Sequence, residues 1–228
     1  MQTLNSLLVG SLVALGATGL VACQSNGYAS SLALDGAESQ RDLGHSVTSV
    51  LEAQMESQSE FDEAFQLLLQ LQRAPQEDVV DLYAEFQKQV DSCARNVERV
   101  DQGILTVEQN ATELFASWEA ELDQFSSPTM RERSEARMGQ AQHSLQRLLD
   151  QLRNARGSMD AILRTQRDFV LYFNHNLSPN SIATLEPENA AFESSMAELG
   201  ELIQRAREAA DALMGELQGS SPIAPAGA

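Results

Sequence analysis

The residues of this chain best suited to chemistry are two cysteines, Cys23 and Cys93, and three histidines, His45, His143 and His175. Cys23 closes the stretch Leu20-Val21-Ala22-Cys23, which follows the apolar run Leu7-Leu8-Val9-Gly10-Ser11-Leu12-Val13-Ala14-Leu15. An apolar run, then small residues, then a cysteine is the pattern of a lipoprotein signal peptide. The chemistry it implies is acylation. The Cys23 thiol takes a diacylglyceryl group, a peptidase cuts before it, and the freed amine can be acylated in turn. Two or three chains anchor a protein stably, where one is marginal.

Residues 1–22 carry no charged side chain, so only the amino terminus supplies the positive charge that usually opens a leader. The alternatives are an ordinary secretory signal and a membrane span, but the apolar part is shorter than the roughly 20 residues a span needs. Gln24, not Asp, follows the cysteine. In a bacterium with two membranes that implies the periplasmic face of the outer membrane. The alternatives are the periplasm or secretion.

The histidines form no constellation. His45 falls in one helical segment and His143 and His175 far apart in another, and no Glu-x-x-His pair occurs, as a di-iron bundle would need. His-Glu-x-x-His, the phosphate-binding glycine loop and the Gly-x-Ser-x-Gly nucleophile turn are also missing from the sequence. No catalytic residue, cofactor or metal ligand set is therefore expected, and the chain is read as a non-enzyme. Cys93 falls on an apolar stripe, where a small buried thiol is the ordinary reading. An intermolecular disulfide is the functional alternative in an oxidising compartment.

The elements that would position these residues are helices. Apolar residues recur at alternating steps of three and four, the mark of left-handed helix packing. The clearest stripe is Val79, Tyr83, Phe86, Val90, Cys93, Val97, Val100, Ile104, Val107, Ala111, Leu114, Trp118. Met138 to Phe173 and Ile182 to Leu217 carry two more, and Val47, Leu51, Gln54, Gln58, Phe61, Phe65, Leu68 a weaker one. The fold expected is all-α: long antiparallel hairpins in an up-down bundle of three or four helices. The divisions are a leader at 1–22, a flexible tether at 23–36, the bundle at 37–218 and a disordered tail at 219–228. Breaks at Pro75, at Ser127-Pro128 and at Ser178-Pro179 predict helices 37–73, 77–125, 128–176 and 179–218. Pro187 interrupts the last, with either a kink or a short helix 179–185 before a longer one. Gln54, Gln58, Gln166 and Asn189 occupy stripe positions, where polar residues can set register.

The chain has 33 acidic and 15 basic residues, a net charge of −18. Such a surface repels nucleic acid, so none is expected as a partner. By segment the four helices carry about −5, −9, +3 and −6. The single basic helix, the third, is expected beside the strongly acidic second, with contact to the acidic first and fourth also open. Any apolar stripe left uncovered would invite self-association.

Trp118-Glu119-Ala120-Glu121-Leu122-Asp123-Gln124-Phe125 with Arg131-Glu132-Arg133-Ser134, and Leu171-Tyr172-Phe173-Asn174-His175-Asn176-Leu177 with Ser181-Ile182-Ala183-Thr184-Leu185, carry a resemblance. Together they resemble a family of uncharacterised bacterial lipoproteins of gammaproteobacterial type, catalogued as a domain of unknown function (2959). The resemblance implies a lipid anchor and long acidic helices, and no catalytic assignment. It draws attention to two places. One is the hairpin turn, with Trp118, Glu119, Arg131 and Arg133; the other is the opposite end, with Asn174, His175, Asn176 and Asn180. The ordinary reading of polar residues there is helix capping. The function expected is that of a non-enzymatic envelope interaction or scaffold protein. It would be held to the membrane through lipid on Cys23 and would engage an unidentified envelope protein. A periplasmic holdase-like chaperone is the alternative, and a metal-binding helical bundle the less favoured one.

Overall fold

A computed structural model describes residues 26–219. The leader 1–22, Cys23 with the first residues of the tether, and the tail 220–228 lie outside the described residues. The helices are α1 Asn26–Arg73, α2 Val79–Leu122, α3 Pro128–Phe173, the short α4 Pro179–Ala183 and α5 Asn189–Gln218, with a 3₁₀ turn Glu186–Glu188 before α5. No strand occurs among the described residues. Helix α1 packs along α2, and α3 along α5. The contacts of α2 with α3 and of α1 with α5 close the ring. Short connections make every neighbour antiparallel, giving an up-down four-helix bundle.

The stripes become the core. Phe86, Cys93, Val100, Val107, Leu148, Leu152, Ala155, Met159, Leu199, Ala206 and Leu213 are fully buried. Tyr83, near the start of the α2 stripe, and Trp118, at its end, are half-buried. In α1 the register differs from expectation between Val47 and Phe61. Val50, Gln54 and Ser57 face the core, while Leu51 and Gln58 sit at its edge. The small Ser57 satisfies its hydroxyl on the Ala53 carbonyl at 2.8 Å, which lets it occupy an apolar slot.

Several boundaries also shift. Helix α1 starts at Asn26, so it takes in residues 26–36 of the stretch expected as tether. Ala29, Leu32, Ala33 and Leu34 are good helix formers even without a stripe. Helices α2 and α3 have 44 and 46 residues rather than the 49 expected for each. Helix α1, with 48, is as long as they are. Ser127 stands at the N-cap of α3 in extended conformation, with Pro128 in the first turn, but its side chain makes no capping bond. Ser178 does cap: its hydroxyl accepts from the Ser181 amide. Pro187 splits the last helix rather than kinking it, because a proline in the 3₁₀ turn needs no amide partner.

Helix α5 ends at Gln218, and Gly219 follows with φ 69°. A Cβ on Gly219 would stand 3.0 Å from Arg137, whose guanidinium also donates to the Glu216 carbonyl. Helix α5 therefore stops opposite Arg137. The start of α3, about 13 Å of helix, runs on past it.

Candidate functional site

The two ends of the bundle differ in construction. At the α2–α3 turn, Trp118 stacks on Phe115 and donates its indole N–H to Ser134 at 2.9 Å. That bond ties the last turns of α2 to the first of α3. Arg131 pairs with Asp123 at 3.3 Å, but both side chains are more than half exposed, so the pair contributes little. Glu119 and Arg133 face solvent. The four residues singled out here do not converge: Trp118 fastens the hairpin, Arg131 makes an exposed pair across the turn, and the other two stand apart.

Beside them is a cleft of about 220 Å³ lined by Gly36, Gln40, Trp118, Glu121, Ser134 and Arg137. Burial raises the Glu121 carboxyl above its ordinary range. A Cβ at Gly36 would come within 3.0 Å of that carboxylate, so α1 approaches α2 closely here. Only the fold assembles this group, since Gly36 and Gln40 lay in or beside a segment without helical periodicity.

The opposite end is a set of polar clips over an aromatic layer. Tyr83 donates its hydroxyl to Asn174 Oδ1 at 2.6 Å, joining the start of α2 to the end of α3. Desolvation raises the Tyr83 hydroxyl pKa. Asn176 donates to the Tyr172 carbonyl at 3.0 Å. Gln72 and Asn189 exchange two amide hydrogen bonds, at 3.2 and 2.8 Å, stitching α1 to α5. Phe173 lies beneath, with Tyr83, Phe86 and Tyr172 rings 5.9–6.2 Å away. Asn174 and Asn176 are thus capping and clipping residues. His175 and Asn180 are exposed.

The charge pattern has a clear structural outlet. Arg156 forms a two-pronged pair with Asp101, at 2.7 and 2.8 Å. Burial works against the Arg156 charge, but the hydrogen bonds and field of Asp101, with Asp160 adding, outweigh it and hold the guanidinium above its ordinary value. Arg153 pairs with Glu108. The basic α3 does lie beside the acidic α2, and its arginines bind that neighbour's carboxylates. It packs more extensively still along α5.

Among the described residues, the remaining polar groups of the interior are scattered. Cys93 is fully buried, and desolvation with the nearby charge of Glu60 pushes its thiol up to about 12. It is not placed to form the intermolecular disulfide considered above. Gln54 donates to the Leu152 carbonyl at 3.1 Å, leaving its own oxygen unpartnered, and Gln166 is buried with neither amide atom bonded. On the scale of α3, Leu152 and Gln166 are separated by about 21 Å, so the two amides line no common site. All three histidines are exposed. Among the described residues no group of three His, Cys, Asp or Glu is placed to hold a metal ion, and no helix is long and apolar enough to cross a membrane.

The model of a family described as a protein of unknown function (DUF2959) matches residues 28–217. The chain belongs to this family. The match spans the whole bundle, from the first turn of α1 to the last turn of α5. No curated protein and no solved structure matches the chain.

Proposed function

We propose that this protein is a lipid-anchored, non-enzymatic interaction or scaffold protein of the bacterial envelope, held by Cys23 on the periplasmic face of the outer membrane. The observation that carries the reading is the charge-free apolar leader ending in Leu20-Val21-Ala22-Cys23, set immediately before a helical bundle. The filled core supports it as well, because among the described residues the four stripes bury one another rather than lining an open cleft for a client chain. That favours a rigid presenting rod over a holdase clamp.

The topology gives the rod a polarity. Helix α1 begins three residues after Cys23, at the end that holds the α2–α3 turn. Its 48 residues span about 72 Å. The end with Asn174, His175, Asn176 and Asn180 would then face away from the membrane and meet the envelope partner. Fractionation tests the reading. Wild type is expected with the membranes and Cys23→Ser in the soluble fraction, and equal solubility of the two would refute the anchor. A photo-crosslinker at His175 is expected to capture an envelope protein that the same group at Leu105, mid-rod and 48% exposed, does not.

A further inference from the structure

The α2–α3 turn end carries a feature that packing does not explain. Phe125, within the connection between α2 and α3, is 39% exposed, and Met130, in the first turn of α3, is 50% exposed. Neither lies on the apolar stripes, and α5 stops short of them, opposite Arg137. Arg131 and Arg133 come one and three residues after Met130, and both are exposed. Large apolar groups exposed beside arginines are the makeup of a surface that meets lipid, with apolar side chains inside and guanidinium groups at headgroup depth.

The chain itself indicates which surface this end meets. Gly36 stands against Glu121, so the ten residues of α1 before it run alongside and past the turn. From Cys23 to Asn26 the link is three residues, at most about 10 Å. A lipid on Cys23 would hold this end, and not the other, within reach of the headgroups.

We propose that the α2–α3 turn docks on the bilayer that carries the Cys23 lipid, with Phe125 and Met130 entering its interface and Arg131 and Arg133 meeting lipid phosphodiesters. This rests on the anchor reading above and adds a second, non-covalent contact that fixes the rod's attitude. The surrounding carboxylates Glu119, Asp123, Glu132 and Glu135 make a zwitterionic surface a better fit than a strongly anionic one.

The test uses the full-length protein, purified from membranes and reconstituted into phosphatidylcholine vesicles. Met130→Cys carries an environment-sensitive fluorophore, with Phe125→Cys as a second probe. Leu171→Cys, 63% exposed at the far end, is the control. Buried Cys93 stays unlabelled. Flotation reads the anchor, and quenching by spin-labelled lipid reads the docking. For groups about 5–10 Å into the interface, quenching at 130 and 125 should exceed that at 171 by roughly twofold or more. Flotation with equal quenching at all three sites overturns the docking and leaves the anchor standing. Failure to float overturns both. Energy transfer between labelled copies, with no quenching by lipid, gives the turn to a second copy and likewise overturns the proposal.

Discussion

The pairing of Arg156 with Asp101 allows the charge pattern to be tested as a cause of packing. The perturbation is a double-mutant cycle of Asp101→Ala and Arg156→Ala. Its coupling cancels the loss of the weaker Arg156–Asp160 contact at 3.5 Å, which both Arg156 variants share. Exposed ion pairs are worth about 0.2–1 kcal/mol. The Arg156–Asp101 pair should exceed that, because the arginine side chain is only 23% exposed and makes two short charge-assisted bonds. Hydrogen bonds to charged groups contribute about 1.5–3 kcal/mol when well buried, and Asp101 at 44% exposure is not. The expected coupling is therefore about 1–2 kcal/mol, between the two ranges. It is read from urea unfolding followed by circular dichroism at low salt. The Arg153–Glu108 pair, whose arginine is 50% exposed, serves as the control, with coupling of at most about 1 kcal/mol. In 1 M salt, where screening acts over about 3 Å, the control should fade first. A coupling for Asp101 and Arg156 below about 0.5 kcal/mol, or no larger than the control, would refute the reasoning: the apolar stripes alone would then choose the neighbours.

Further outcomes are expected. Replacing Gln166 with Met removes a buried amide that has no partner, which should add about 1–3 kcal/mol and raise the melting temperature by several degrees. Gln54→Met also gives up the bond to the Leu152 carbonyl, so its effect should be smaller; destabilisation by Gln166→Met in thermal melts would show that the amide is in fact satisfied. Glu121→Gln should stabilise the protein at neutral pH. Burial raises this carboxyl's pKa, so the folded state holds its proton more tightly and the charged form costs stability above the carboxylate range; the gain should vanish in melts run below about pH 4. Cys93 should resist maleimide in the native protein and react fully in urea, and rapid native labelling would contradict its burial. Phe173→Ala, beneath the polar clips, should cost about 3–5 kcal/mol in urea unfolding.

Much of the bundle was legible because apolar residues at heptad spacing have few other uses. The stripes through Val90, Cys93 and Val97, through Leu148, Leu152 and Ala155, and through Leu199, Ile203 and Ala206 all became core. Periodicity failed where polarity or context intervened. Ser57 fills a core slot that hydropathy assigns to neither face, and the start of α1 is helical without a stripe to announce it. The ends were marked only as polar. The role of Asn174 depends on Tyr83, 91 residues away in sequence, and no spacing rule reaches that far. Likewise Phe125 and Met130 look unremarkable in the sequence, and their exposure follows from where α5 stops. The charge sums did indicate the α2–α3 neighbourhood, since ion pairing across antiparallel helices needs opposite net charge but no particular residue spacing.

The central claim is that Cys23 becomes the acylated first residue of a rod standing on a membrane. The intact mass of the protein purified from the membrane fraction tests it most directly. The expected species begins at Cys23, lacks residues 1–22 and carries the added mass of a diacylglyceryl group, with or without a further acyl chain. A chain that retains residues 1–22, or that is cut elsewhere and carries no lipid, would contradict it.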